Sequence, residues 1–272
     1  MYTVFIAADM EGISGYVNWP EKPPEDSWFR EQMTAEVNAA IEGSLAGGAG
    51  DVIVSDIHWR KQNIIPDKMS GNARLIRGSK RRLMWMDMVE RCNMVILIGF
   101  HAGSGSAGAV LPHTIDTRIV RLTINDMVAG EAMLSALAAG YYEVPVGMVT
   151  GDRACINETR LFLPDVKTVV VKEAIGNCAA LGIHPVLAVE KIRVAAMEAT
   201  KRGLEGGFKP FQTREPVDIA MEFSWPVYAE ALSLVPGVTR TGGRMVSYRG
   251  GWLDAVGIIS LFINWVENMP GL

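Results

Sequence analysis

The chain has 272 residues, 49% hydrophobic and 21% charged, enough to bury one large α/β core or two smaller ones. A formal net charge of -4 gives no electrostatic case for nucleic acid or an anionic membrane surface as a partner. The N-terminus lacks a basic leader region, and three widely spaced cysteines, Cys92, Cys155 and Cys178, form neither a disulfide framework nor a Cys-x-x-Cys site, so a cytoplasmic protein is expected.

Residues 3–8 read as the first strand, followed by a proline-rich loop at 20–26 and an amphipathic helix over 27–45 that places Met33, Val37, Ile41 and Leu45 at i+4 spacing. Short Val- and Ile-rich runs at 51–55, 94–99, 144–150 and 167–171 are strands buried on both faces. Helices are expected at 79–92, 130–141 and 185–203, the last with Pro185 in its first turn. Strands alternating with helices predict a doubly wound, mostly parallel sheet. A β run at 118–124, ending in Asn125-Asp126, reads as a hairpin. After Gly206 the order is strand 217–223, helix 226–234, strand 244–248 and helix 252–266. The apolar stretch 256–265 within the last helix is too short to span a bilayer. The expected organisation is a Rossmann-like α/β metal-binding domain at 1–205 and a smaller α+β unit at 206–272, with the hairpin at 112–126 assignable to either.

Ligands of open α/β sheets collect at the carboxyl ends of the strands. The first strand ends in Asp9-Met10-Glu11-Gly12, the second in Ser55-Asp56-Ile57-His58, the third in Gly99-Phe100-His101. Asp9 and Glu11 are two apart, so an extended backbone points both side chains the same way, and Asp56 and His58 share that relation. Glu131, at the start of a predicted helix, adds a third carboxylate. Taken singly, each of these residues reads equally as a cap, a turn residue or a satisfied structural histidine. Their convergence on one sheet edge points to a metal site instead. Three carboxylates and two neutral imidazoles carry three negative charges, which two divalent ions and one bridging hydroxide would balance. That arrangement suits two-metal hydrolysis, with Zn²⁺ favoured by the mixed donors and Mn²⁺ or Co²⁺ as substitutes.

The run Asp9-Met10-Glu11-Gly12-Ile13-Ser14-Gly15 resembles the signature of the DppA-type D-aminopeptidases, the M55 zinc metallopeptidases. The likeness continues through Ser55-Asp56-Ile57-His58, Gly99-Phe100-His101-Ala102, Asn125-Asp126, Gly130-Glu131, the segment 139–146 and Gly151-Asp152, and it covers essentially the whole chain. The resemblance implies two zinc ions per chain bridged by Asp9. Glu11 and His58 would complete one metal, and His101 and Glu131 the other. It also implies that His113 is a catalytic histidine and not a ligand, that short peptides with D-Ala-like N-termini are cleaved at the N-terminal amide, and that the chain assembles as a homodecamer around an inner chamber.

Other signals are weaker. Gly103-Ser104-Gly105-Ser106-Ala107-Gly108 matches a dinucleotide-binding pattern in letters, but Pro112 and a β run follow where a helix would have to start, so it reads as a lid or substrate contact. His184 reads as a helix-cap residue, and Cys155 lacks a sequence partner for nucleophilic work. Asp56 and Asp152 are either orienting carboxylates behind metal-bound histidines or ordinary turn residues. For His113 the competing reading is a surface-loop histidine. At the level of function, the alternatives to an aminopeptidase are a dinuclear metal amidase acting on a non-peptide substrate and a non-catalytic Rossmann-like binding protein.

Overall fold

A computed structural model of the chain describes residues 1–19 and 27–266; the proline-rich loop expected at 20–26 lies outside them. The strands are β1 (Thr3–Ala8), β2 (Asp51–Asp56), β3 (Arg74–Ile76), β4 (Met94–Phe100), β5 (Ile119–Ile124), β6 (Met127–Val128), β7 (Val146–Asp152), β8 (Lys167–Gly176), β9 (Ala179–Gly182), β10 (Val217–Phe223), β11 (Val238–Arg240) and β12 (Met245–Gly250). The helices are α1 (Ser27–Ala46), α2 (Glu131–Tyr141), α3 (Arg153–Phe162), α4 (Pro185–Leu204), α5 (Pro226–Leu232) and α6 (Trp252–Val266).

Two sheets result. The larger has seven strands in the order β3-β2-β1-β4-β7-β8-β9, and all its pairs are parallel except β8–β9. The smaller is antiparallel, in the order β11-β12-β10-β5-β6, so the hairpin from the middle of the chain pairs with the C-terminal strands. The sequence therefore yields the expected mostly parallel α/β sheet with a smaller α+β unit.

The apolar runs are continuous because the large sheet is covered on both faces. Along β1, Val4, Ile6 and Ala8 enter a core that includes α1 and α4, while Phe5 and Ala7 enter a second core shared with α2, α5, α6 and the small sheet. In β10 burial alternates instead, as expected for a sheet with one wet face. Winding reverses at β1: β2 and β3 lie to one side, β4 and β7 to the other. The crevice between the ends of β1 and β4 is thus the topological switch point, where doubly wound sheets bind their ligands.

The helix expected at 79–92 does not form. Met84, Trp85 and Met86 are all buried in succession, whereas a surface helix buries one face. Met84 and Met88 adopt left-handed backbone conformations, and only a short 3-10 turn, Val89–Arg91, remains. The Trp85 indole donates to Ser135 Oγ at 2.8 Å and its carbonyl accepts from Ser55 Oγ at 2.7 Å, so tertiary contacts override helical periodicity. Helix α3 was not expected. Asp152 caps it by accepting from the Cys155 amide at 2.8 Å. The extension of β8 into a hairpin with β9 and the short strands β3 and β11 were likewise not evident from periodicity. His184 caps α4 as expected, accepting from the Val186 amide at 3.3 Å.

Candidate metal centre

The switch point is built by close backbone approach. Gly12 donates its amide to the Gly99 carbonyl at 2.7 Å, and a Cβ at Gly12 would stand 1.9 Å from the Phe100 carbonyl oxygen. Gly99 itself has a φ of +69°. This contact lays the turn after β1 against the end of β4 and brings Asp9 and Glu11 beside His101.

All five candidate ligands meet there. His58 Nδ1 lies 2.8 Å from Glu11 Oε2 and 3.3 Å from Asp9 Oδ1. His101 Nε2 lies 3.4 Å from Asp9 Oδ2 and 3.2 Å from Glu131 Oε1. The two oxygens of Asp9 thus face two different imidazoles. Glu131 enters from the first residue of α2 and also accepts from the Ile115 amide at 2.8 Å.

The His101 ring fixes its own tautomer. Its Nδ1 is 3.0 Å from the Ala102 carbonyl, an acceptor only, so Nδ1 is the donor and Nε2 carries the lone pair when the ring is neutral. That lone pair points at two carboxylates, and neither His101 Nε2 nor Asp9 Oδ2 completes a hydrogen bond although both are buried. Such an arrangement calls for a cation between the groups. A mixed carboxylate and imidazole donor set fits a divalent zinc-type ion. Two donor groups lie close enough to hold one, Asp9 with Glu11 and His101, and His101 with His113 and Glu131.

These groups also shift one another's protonation. Burial and the neighbouring Glu11 raise the Asp9 carboxyl. Burial would raise Glu11 too, but His58 beside it holds it well below the usual range. Burial also opposes the charged forms of His58 and His101, yet Glu11 next to the first and Glu131 next to the second push both imidazoles well above their ordinary value.

His113 is buried, which removes the surface-loop reading. Its ring stacks on His101 with centroids 4.0 Å apart, and its Nε2 stays 3.8 Å from Glu11 Oε1 and 3.9 Å from Glu131 Oε1. Its Nδ1 is 2.9 Å from the Leu111 carbonyl, so in the neutral ring Nε2 is again the basic atom. His113, Asp9, Glu11, His58 and Glu131 line a cavity of about 1220 Å³, walled further by Trp59, Met84, Trp85 and Ile263.

Asp56 and Asp152 take turn roles. Asp56 accepts from the Asn63 and Ile64 amides, and Asp152 accepts from the Val110 and Cys155 amides; neither orients a histidine. The glycine-rich loop is tied down by Glu158, which accepts from the Gly103 amide at 3.0 Å and from Ser106 Oγ, and residues 103–108 do not line the cavity. Cys155 is buried, and burial raises its thiol well above the ordinary range, against a nucleophilic role.

Sequence reasoning missed two neighbours of the centre. The Trp19 indole donates to Glu11 Oε1 at 2.8 Å and lies edge-on to His113 at 5.2 Å; a tryptophan in a loop carries no periodic signal. Lys172 reaches the turn after β1 from β8 and is buried. Burial lowers its ammonium to about 8 against the pull of Asp152, Glu36 and Glu11.

A family model described as D-aminopeptidase, the M55 peptidases, matches residues 2–260. The chain belongs to this D-aminopeptidase family. Its members are peptidases, so the chain is a hydrolase of peptide bonds. A curated relative, the D-aminopeptidase of Bacillus subtilis (strain 168), is 30% identical over 258 residues and aligned over 90% of each chain. A solved structure, titled as the Zn-dependent D-aminopeptidase DppA from Bacillus subtilis, a self-compartmentalizing protease, superposes with a TM-score of 0.90 at 26% identity. That match covers 99% of this M55 chain and 100% of the other. Among the described residues no helix is long and apolar enough to cross a membrane.

Proposed function

We propose that the chain is a zinc-dependent aminopeptidase that hydrolyses the N-terminal amide bond of short peptides with D-Ala-like N-termini. The observation that carries the two-metal reading is Asp9, whose two oxygens each face a different histidine within 3.4 Å. Asp9 would be shared, Glu11 and His58 would complete one zinc, and His101 and Glu131 the other. When bound, the two ions supply Lewis-acid polarisation of the scissile carbonyl and an activated water.

The chain's own residues do the remaining work. His113 has its Nδ1 committed to the Leu111 carbonyl, so its Nε2 can take a proton in the neutral ring or donate one to a developing oxyanion when protonated. The apolar wall of Trp59, Met84, Trp85 and Ile263 gives a side-chain surface and displaces water.

A panel of D- and L-aminoacyl amides, dipeptides and simple amides tests this assignment. Dipeptides with a D-residue at the N-terminus are expected to turn over fastest. Turnover confined to simple amides, or to L-peptides, would overturn it.

The self-compartmentalizing relative supports a homo-oligomer here, and a decamer is the form proposed. Exposed Ile175 and Leu181 on the β8–β9 hairpin and Val186 at the start of α4 supply apolar surface for association. Light scattering is expected to give a mass many times that of one chain; a fully active monomer would contradict it. The unpaired cysteines support a reducing, cytoplasmic location.

A further inference from the structure

We infer that Lys172 is a positioning residue for the metal centre, its buried ammonium stapling together the two ends of the turn 11–16 that carries Glu11 into the site. The inference rests on the metal-centre reading above. Lys172 does not itself line the cavity, and its donors go to backbone carbonyls and not to the carboxylates of the cluster.

A lysine ammonium has three N–H donors. All three go to carbonyls of this one turn: Glu11 at 2.5 Å, Ile13 at 2.9 Å and Tyr16. Lys172 is 2% exposed, in a strand whose neighbours Val169 and Val171 are core residues. A long charged side chain is placed there against its desolvation cost, and every donor it has serves the same six residues.

The two ends of the turn are the functional ones. At its start, Glu11 sets its carboxylate 2.8 Å from His58 Nδ1. At its end, the Tyr16 ring lies edge-on to His58 with centroids 6.3 Å apart, three residues before Trp19. By binding the carbonyls of both Glu11 and Tyr16, Lys172 fixes the span between the carboxylate and the indole that donates to it.

A second buried ionisable side chain grips the turn from α1. Glu36 Oε1 accepts from the Ser14 amide at 2.9 Å and from Ser14 Oγ at 2.8 Å, and Gln32 Nε2 donates to the same oxygen at 3.0 Å. The partners follow the backbone: an ammonium for the turn's carbonyls and a carboxyl oxygen for its amide. An ammonium near two dications would by itself oppose their binding. Three carbonyl dipoles and the nearby Asp152 and Glu36 side chains act against its field. Without Lys172 three buried carbonyls converge with no donor, and the turn must open to satisfy them.

The test measures the zinc dissociation constant, by competition with a chelator, for full-length wild type, Lys172→Met and Lys172→Gln. The thermal midpoint of each metal-free protein is read in parallel. Losing the three donors is expected to lower the thermal midpoint of the metal-free Lys172→Met protein, so zinc affinity is compared among variants that remain folded. Zinc affinity is expected to fall by about 10–100-fold in Lys172→Met, the usual effect of losing a partner that orients a ligand. Lys172→Gln keeps two donors and is expected to lose less; should the Met variant not fold, the Gln variant decides alone. Wild-type zinc affinity in either folded variant would overturn the inference. Absence of zinc from the wild type would instead sink the metal-centre reading itself.

Discussion

His113→Ala is expected to lower kcat by roughly 10²–10⁴, the range for a positioned acid–base group, while zinc content stays at the wild-type value. The reason lies in the two nitrogens of the ring. Nδ1 is 2.9 Å from the Leu111 carbonyl, which holds the tautomer and leaves Nε2 as the working atom. Nε2 stands 3.8 Å and 3.9 Å from Glu11 and Glu131, farther than any approach of His58 or His101 to the same carboxylates. That wider spacing, on the wall of the cavity, supports a group that meets substrate, although His113 also stands within reach of an ion held by His101 and Glu131. The ring also stacks on His101, so the substitution removes a packing contact as well as a base. Elemental analysis separates the two consequences. If His113→Ala loses one zinc per chain, His113 is a ligand; if kcat is unchanged, it has no catalytic part.

Asp9→Ala is expected to lose most of the bound zinc, and Glu11→Ala distinctly less. Asp9 presents Oδ1 to His58 at 3.3 Å and Oδ2 to His101 at 3.4 Å, so it serves both halves of the centre. Glu11 approaches only His58 this closely, at 2.8 Å. On the proposed two-zinc reading, removing Asp9 would leave two dications in one buried cluster without a common carboxylate, whereas removing Glu11 would weaken one of them. Zinc per chain and residual turnover of both variants decide the matter. Equal loss from the two, or greater loss from Glu11→Ala, would rule out the bridging role.

Much of this centre was legible because its residues follow strands. Apolar runs bounded by Asp9, His58 and His101 predict strand ends, and parallel strands place such ends on one edge. The order β2-β1-β4 makes the three ends neighbours. Glu131 could be placed from the helix it begins. The apolar spacing of 79–92 imitates a helix, while Met84, Trp85 and Met86 are all buried and Trp85 is hydrogen-bonded to α2 and β2. Helix α3 begins after Asp152, and in the sequence the cap signal of that residue competes with its reading as an orienting carboxylate. Pairing of β5 with β10 joins residues about a hundred positions apart, which no local pattern encodes. Trp19 is placed by a turn with no periodicity. Lys172 did leave a trace: a lysine directly after Val169-Val170-Val171, in a strand covered on both faces, must find buried acceptors.

The central claim is a two-zinc centre built from Asp9, Glu11, His58, His101 and Glu131. Elemental analysis of protein purified from zinc-replete growth, without chelators, tests it most directly. Two zinc ions per chain, with activity lost on chelation and recovered on zinc addition, is the expected result. A stoichiometry near zero in folded, active protein would contradict it.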